Sequence, residues 1–355
     1  MGKILIKNGK VWDGEKFSSS DILTEKGVIS KIEPKITIEA DFTFDAAGKI
    51  VSPGLTDLHV HLKGISSDEF GTLPDMSSFP FGVTSVCDAG GGFGDKRLLC
   101  SFSVKSKVFV SVDIKDNRAD FKRAEENLAK YGDRAIGLKV YFDRLVSKDF
   151  DTTPLKEISD YAKRNGLKVM VHSSNSPAPM SEIVEILNPG DILTHAYHGG
   201  ENSCIVNNFE ALRLAKEKGV IIDAGFAGHV HTDFKNFYSA VENGFIPDTI
   251  STDITCLSAY KRGGRYGMTM CMNIAKESGM SDEEIFRAVT IAPSKALGME
   301  NSWGSLKVGR CADIAVFDYV KDCFDLTDKS GNNIKSDKGY RCVLTLSDGE
   351  VVYRI

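Results

Sequence analysis

The sequence contains no apolar run approaching the roughly 20 residues needed to span a bilayer, and only two tryptophans in 355 residues. Its first apolar stretch, Ile4-Leu5-Ile6, ends at a lysine and is too short for the core of a signal peptide. Positive charge is not in excess: 44 Lys and Arg face 49 Asp and Glu, a net charge of −5. Without a basic run, a nucleic acid is not an expected partner. The eight cysteines are scattered and none forms a Cys-x-x-Cys pair. That pattern excludes a disulfide framework and a cysteine zinc site, and suits reduced thiols in the cytoplasm. Internal repeats, low-complexity tracts and flexible linkers are also missing. A small molecule is the expected partner, with no nucleic acid and no membrane, and a homo-oligomer stays open.

What is present is an ordinary globular composition, 42% hydrophobic and 26% charged. The length suits about two domains, or one large α/β barrel with an appendage. Val- and Ile-rich runs appear at 83–88, 108–112, 136–141, 168–172, 192–195, 220–223 and 249–253, and with 55–61 they number eight. Such runs are typical of parallel strands buried on both faces. Amphipathic helical patterns separate them, several ending near a glycine (Gly166, Gly219, Gly279), and Ser281 with Glu284 reads as a capping box. Eight strand–helix units predict a (β/α)8 TIM barrel over 53–303, with a doubly wound open sheet as the structural alternative. The two ends alternate differently. Residues 1–52 and 304–355 carry period-2 patterning and turn dipeptides such as Asn8-Gly9, Asp13-Gly14 and Asp348-Gly349. Neither end is long enough for a core of its own, so the two are expected to pack together as one small β-sandwich domain.

Chemistry-bearing residues gather at the strand ends. His59 and His61 lie two apart on a strand, so both imidazoles face one way and can share a metal ion. Lys139 lies inside the apolar run 136–142, His172 and His195 end the next two runs, and Asp253 ends a run two units further on. Any one of these residues alone could be a satisfied core polar group. Their recurrence at the carboxyl ends of successive strands, where barrels keep their active sites, argues for a metal centre.

These residues also carry a resemblance. Pro53-Gly54-Leu55-Thr56-Asp57 with His59 and His61 resembles the opening signature of the amidohydrolase superfamily. Residues 290–298 and 304–316 are similar to its late-barrel motif and to the strands returning to its small β domain. Residues 170–177, 189–199 and 247–253 are similar to a bacterial deacetylase family often labelled dihydroorotase or adenine deaminase. The resemblance implies a distorted (β/α)8 barrel flanked by a β-sandwich, and a binuclear site. In it His59 and His61 hold one divalent ion, His172 and His195 the second, and an N6-carboxylated Lys139 bridges them, with zinc as the expected metal. Asp253 would be both a ligand and the group that takes a proton from the attacking water and returns it to the leaving group. The chain departs from the family where a Gly-His-Gly element is usual. It reads Ala224-Gly225-Phe226-Ala227-Gly228-His229-Val230-His231, and His229 or His231 is the replacement.

Asn175, His198, Tyr260, Lys261 and Arg265 are expected substrate contacts, the last three in a basic loop suited to a carboxylate. The glycine run 90–94 lacks the lysine and hydroxyl of a phosphate loop and reads as a loop beside the site. The expected activity is hydrolysis of an amide or ester, foremost deacetylation of a small acetylated carboxylate. A cyclic-amide hydrolase of dihydroorotase or hydantoinase type is the alternative, and a non-catalytic assembly protein on the same fold is the reading from another class.

Overall fold

A computed structural model describes residues 2–92, 94, 96–145, 151–227, 230–261 and 266–355. The N-terminal segment forms β1 (Ile4–Trp12), β2 (Phe17–Glu25), β3 (Val28–Glu33), β4 (Phe42–Asp45) and β5 (Ile50–Pro53). Parallel strands follow: β6 (Leu55–Val60), β7 (Val83–Gly91), β8 (Lys105–Ser111), a small hairpin of β9 (Asp113–Lys115) and β10 (Arg118–Asp120), then β11 (Ala135–Tyr141), β12 (Lys168–His172), β13 (Ile192–Thr194) and β14 (Ile221–Asp223). The C-terminal segment supplies β15 (Ile314–Val320), β16 (Phe324–Thr327), β17 (Asn333–Ser336), β18 (Gly339–Ser347) and β19 (Glu350–Arg354). Among the described residues no helix is long and apolar enough to cross a membrane.

Among the described residues, seven parallel strands form a curled sheet in the order β14-β13-β12-β11-β8-β7-β6. Residues 249–254 run between its two edges, with parallel bridges from Thr249 to Asp223 and from Ile254 to Val60. This is where the sequence suggests an eighth strand, yet no regular ladder forms. The Thr252 N–H donates to Asp57 Oδ1 (3.1 Å) instead of a neighbouring carbonyl. Asp253 takes a positive φ of 47°, which breaks the pleat.

Side chains facing the inside of this sheet change character along each strand. Cys87, Phe109, Met170 and Ile192 form an apolar cluster closed by Ala296, Leu297 and Trp303. Two residues further along, the same faces carry Ser111, His172 and Thr194, as the period-2 geometry of a strand requires. The apolar layer supports a polar layer at the carboxyl ends. Gly137 belongs to this design, because a Cβ there would lie 2.6 Å from the Phe109 ring.

The chain ends meet edge to edge. β5 pairs with β1 and with β15, so both termini share one eight-stranded sheet. That single ladder, not a pair of stacked sheets, is what joins the segments expected to form a sandwich. Asn8-Gly9 is a bulge within β1 and not a turn: Asn8 has φ 61° and its N–H donates to Asp21 Oδ1 at 2.8 Å. The hairpin β16–β17 leaves the sheet, and its Phe324 and Ile334 join the hydrophobic core that surrounds the parallel strands.

Candidate active site and metal centre

Seven of the residues singled out from the sequence line one cavity of about 430 Å³: His59, His61, Lys139, His172, His195, His231 and Asp253. His59, His61, His172 and His195 come from the end of a strand or the residue or two beyond it, Lys139 from two residues before the end of β11, Asp253 from the segment 249–254, and His231 from eight residues past β14. His195 (φ 61°) and Asp253 (φ 47°) both sit in the left-handed region, which non-glycine residues adopt only where their surroundings impose it. A cradle without side chains helps: Gly225 has no Cβ to strike His195 Nδ1, which would lie 2.7 Å away, and its carbonyl accepts from that nitrogen at 2.6 Å.

The histidines are oriented from outside. Thr194 Oγ1 donates to the buried Asp223 carboxylate (2.7 Å), so it accepts from His59 Nδ1–H (2.9 Å). Ser66 Oγ donates to Asp88, so it accepts from His61 Nδ1–H at 3.1 Å. His172 Nε2 faces Ser174 Oγ (2.7 Å) and the Asp143 carboxylate (3.3 Å), which places its proton on Nε2. Each of these rings, like that of His195, has spent one nitrogen on an outer partner and keeps the other for the centre. The fourth outer bond continues inward: Ser174 Oγ also contacts His231 Nδ1 (2.9 Å). With its oxygen accepting from His172, Ser174 donates to His231 Nδ1, leaving an N–H on the other ring nitrogen of His231.

Inside this frame the side chains of ligand type fall into two groups whose atoms lie within 4.8 Å of one another, His59 with His61 and Asp253, and His172 with His195, beside which His231, one nitrogen taken by Ser174 and the other protonated, stands as a neighbour. Lys139 Nζ stands 3.2 Å from His59 Nε2. Asp253 Oδ1 is 2.9 Å from His61 Nε2, and its Oδ2 is 3.7 Å from His195 Nε2. His195 Nε2 and Asp253 Oδ1 are buried without a hydrogen bond among the described residues. Orphaned buried atoms of ligand type, in a cluster of imidazoles and a carboxylate, fit divalent cations.

The electrostatics agree with that donor set. Burial drives His59 and His195 well below the usual histidine range and His172 down to about 3, so the rings are neutral. Burial alone would raise Asp253, but His59 and His61 beside it bring it well below the usual carboxylate range. Burial lowers Lys139 to about 8 against the pull of Asp253, so a share of free amine exists near neutral pH.

A second cavity of about 680 Å³ adjoins the first, sharing Tyr141 and His231 with it. His198 lines it. Asn175 lines it too, but its Nδ2 is committed to Asp143 Oδ1 at 2.7 Å, so it steadies the carboxylate behind His172. Tyr260 is 53% exposed and lines neither cavity: it lies on the wide helical turn Leu257–Lys261, in which Ser258 and Ala259 are buried and the tyrosine is left outside. The Lys261 side chain, Arg262, Arg265 and His229 lie outside the described residues. Gly90 faces His61, where a Cβ would sit 3.5 Å from the ring.

Sequence reasoning passed over Thr194, Ser66, Asp88, Asp143 and Ser174. Asp143 carried a signal, since Lys139, Tyr141 and Asp143 alternate past the end of β11.

A model of the amidohydrolase family matches residues 50–352. A deacetylase of Brucella anthropi is 31% identical over 343 residues, 89% of this chain and 83% of its own. A deacetylase of Agrobacterium fabrum is 31% identical over 347 residues, 90% and 83% of the two chains. The crystal structure of a dihydroorotase superposes with a TM-score of 0.86 at 27% identity, covering 99% of both chains. With a match that takes in most of its length, and relatives this similar, the chain belongs to the amidohydrolase family and is a hydrolase.

Proposed function

We propose that this hydrolase removes a short acyl group, acetyl foremost, from a small carboxylate such as an N-acyl amino acid or an acetylated hydroxy acid. His59, His61 and Asp253 would hold one divalent ion, and His172 and His195 a second, with Lys139 between them as an N6-carboxylate. Zinc is the ion that best suits this donor set. The observation that carries the reading is that two groups of ligand-type side chains share one cavity with the buried Lys139, whose Nζ stands 3.2 Å from His59 Nε2. The family generally uses a binuclear metal centre, and deacetylases are more similar to this chain (31%) than a dihydroorotase of Aquifex aeolicus (22%).

When bound, the ions supply Lewis acidity to the substrate carbonyl and acidify water. The remaining work falls to the chain. Asp253, ionised and aimed at the same space, accepts the proton of the attacking water and passes it to the leaving nitrogen or oxygen. His231 offers its free N–H to the oxygen on which charge develops. Tyr141, packed 4.4 Å from the His172 ring, walls the passage to the outer cavity. In this arrangement residues 53–303 carry the chemistry, and 1–52 with 304–355 brace them.

The test joins metal analysis to a substrate panel. Zinc-loaded protein is expected to hold about two ions per chain and to hydrolyse acylated carboxylates faster than dihydroorotate or hydantoins. Lys139→Ala should lose metal and activity, and short carboxylic acids should restore part of both. Normal metal content and turnover in Lys139→Ala, or a clear preference for the cyclic amides, would overturn the proposal.

A further inference from the structure

The outer cavity has a wall that does not come from the parallel-strand core. Asp328 to Asn332, the tip of the β16–β17 hairpin, reaches over the turn after His195 and places Lys329 and Ser330 in the cavity lining. The tip is firmly seated. Asp328 is buried, and its carboxylate accepts from the N–H of Phe234 (2.7 Å), the Asn332 N–H (2.8 Å) and Asn332 Nδ2 (2.9 Å). Gly199 has no side chain where Ser330 passes; a Cβ there would lie 3.2 Å from Ser330 Oγ.

In the lining of this cavity two buried polar atoms have no partner among the described residues, His198 Nε2 and Thr232 Oγ1. His198 Nδ1–H donates to the Gly199 carbonyl (2.6 Å), so Nε2 is an acceptor in want of a donor. Buried polar atoms left unpaired around one cavity indicate a ligand that pairs them. The lining also holds one cation that no carboxylate among the described residues engages. Asp143 is engaged by His172, Asn175 and the Leu145 N–H, and Glu201 faces Arg144 at 3.4 Å. Lys329 has no ion-pair partner among the described residues, and its field reaches His231 at the inner rim.

We propose that this hairpin tip completes a subsite for the anionic half of the substrate, with Lys329 as the partner of its carboxylate, Thr232 Oγ1 as a donor to that carboxylate and His198 Nε2 as the acceptor for an N–H or O–H carried by the same half. The inference rests on the acyl-carboxylate reading above and adds to it the residues that select for negative charge. Subsite and metal cavity meet at Tyr141 and His231. A bound molecule therefore spans both, with its acyl carbonyl at the inner cavity and its carboxylate outside.

The experiment compares the best acylated carboxylate of the panel with its uncharged carboxamide on zinc-loaded wild type, Lys329→Ala, Lys329→Glu and Lys329→Arg. Lys329→Glu is expected to raise KM for the carboxylate about tenfold or more, the size of one charge-assisted contact, with kcat little changed. The carboxamide should respond equally to every variant, and Lys329→Arg should stay near wild type. Added salt should raise KM for the carboxylate in wild type and not in Lys329→Ala. Lys335→Ala, on the same hairpin and paired with Asp325, is the control for hairpin integrity. Equal KM changes for carboxylate and carboxamide, or none in Lys329→Glu, overturn the subsite. Wild type that turns over no acylated carboxylate overturns the acyl-hydrolase reading itself.

Discussion

At the scale of single residues, the site separates groups that act on substrate from groups that aim other groups. Asp253→Asn should keep near-normal metal content, because the imidazoles and Lys139 remain, yet lose roughly 10²–10⁴ in kcat, since an amide cannot take the proton of water. Metal analysis beside steady-state rates checks this, and near-wild-type kcat would move the base elsewhere. Thr194 acts through another group. Its hydroxyl joins His59 Nδ1 to Asp223 and so keeps His59 Nε2 free. Thr194→Val conserves shape and removes that bond, so metal affinity measured against a chelator should fall about 10–100-fold. Thr194→Ser should restore it. A buried carboxylate away from the cavity gives a pH test. Asp191 is raised by burial, against the N–H groups of Asn188 and Val169 that it accepts from. Its folded value lies above the unfolded one of about 3.9, so its contribution is full at low pH and is lost as pH rises through the folded value. The melting advantage of wild type over Asp191→Asn should therefore shrink between pH 4 and pH 7. An advantage that grows over that range would reverse the sign.

At the scale of elements, the positions legible in the sequence were those fixed by strand periodicity. His59, Lys139, His172 and His195 stand at or next to the ends of β6, β11, β12 and β13, and the two-residue repeat that makes a strand also decides which face they share. The helix starting at Ser281 was equally legible, because a capping box is a local signal and Ser281 and Glu284 bond reciprocally as expected. Loops gave less. His231 was one of two choices because no period fixes a residue in a loop, and only the packing of its ring 4.4 Å from His195 shows where it belongs. Thr194, Ser66 and Ser174 were invisible for a different reason: hydroxyls are common, and only three-dimensional contact distinguishes one that aligns an imidazole. The hairpin β16–β17 shows the same limit at larger size. Its alternation marks strands, but nothing in residues 324–336 shows that they pack on the barrel helices and not within the terminal sheet. Asp328 is the point of attachment, so Asp328→Ala should free the tip from the helix Phe234–Glu242. Amide exchange in 328–332 is expected to rise while melting temperature changes little, and unchanged exchange would mean the hairpin is held elsewhere.

At the scale of the whole molecule, the question is whether the terminal sheet and the parallel-strand core stand or fall together. A chain of 355 residues commonly unfolds in stages, and a sheet assembled from both termini is the natural candidate to detach first. The contacts between the two argue against this. Phe286, on the helix Asp282–Val289, is fully buried and meets Phe17, Phe317 and Tyr340 of the sheet edge-on at centroid distances of 5.9, 5.6 and 5.7 Å. Trp12 Nε1 donates to Thr290 Oγ1 at 3.1 Å, and Thr345 Oγ1 donates to the Phe79 carbonyl at 2.8 Å. The sheet's aromatic residues thus complete the hydrophobic core around the barrel helices, and separating the two would expose that core to water. Phe286→Ala removes the ring that three sheet residues share, at a cost of about 3–5 kcal/mol for a buried aromatic. Urea unfolding followed by far-ultraviolet circular dichroism and by tryptophan fluorescence tests the coupling, because Trp12 lies in the sheet and Trp303 closes the apolar floor of the barrel. Both signals are expected to move together to lower urea in the variant. Because Phe286 lines neither cavity, kcat in the absence of urea should be unchanged. A fluorescence transition that separates from the dichroism, in wild type or variant, would show that the sheet unfolds by itself and that the parallel-strand core does not depend on it.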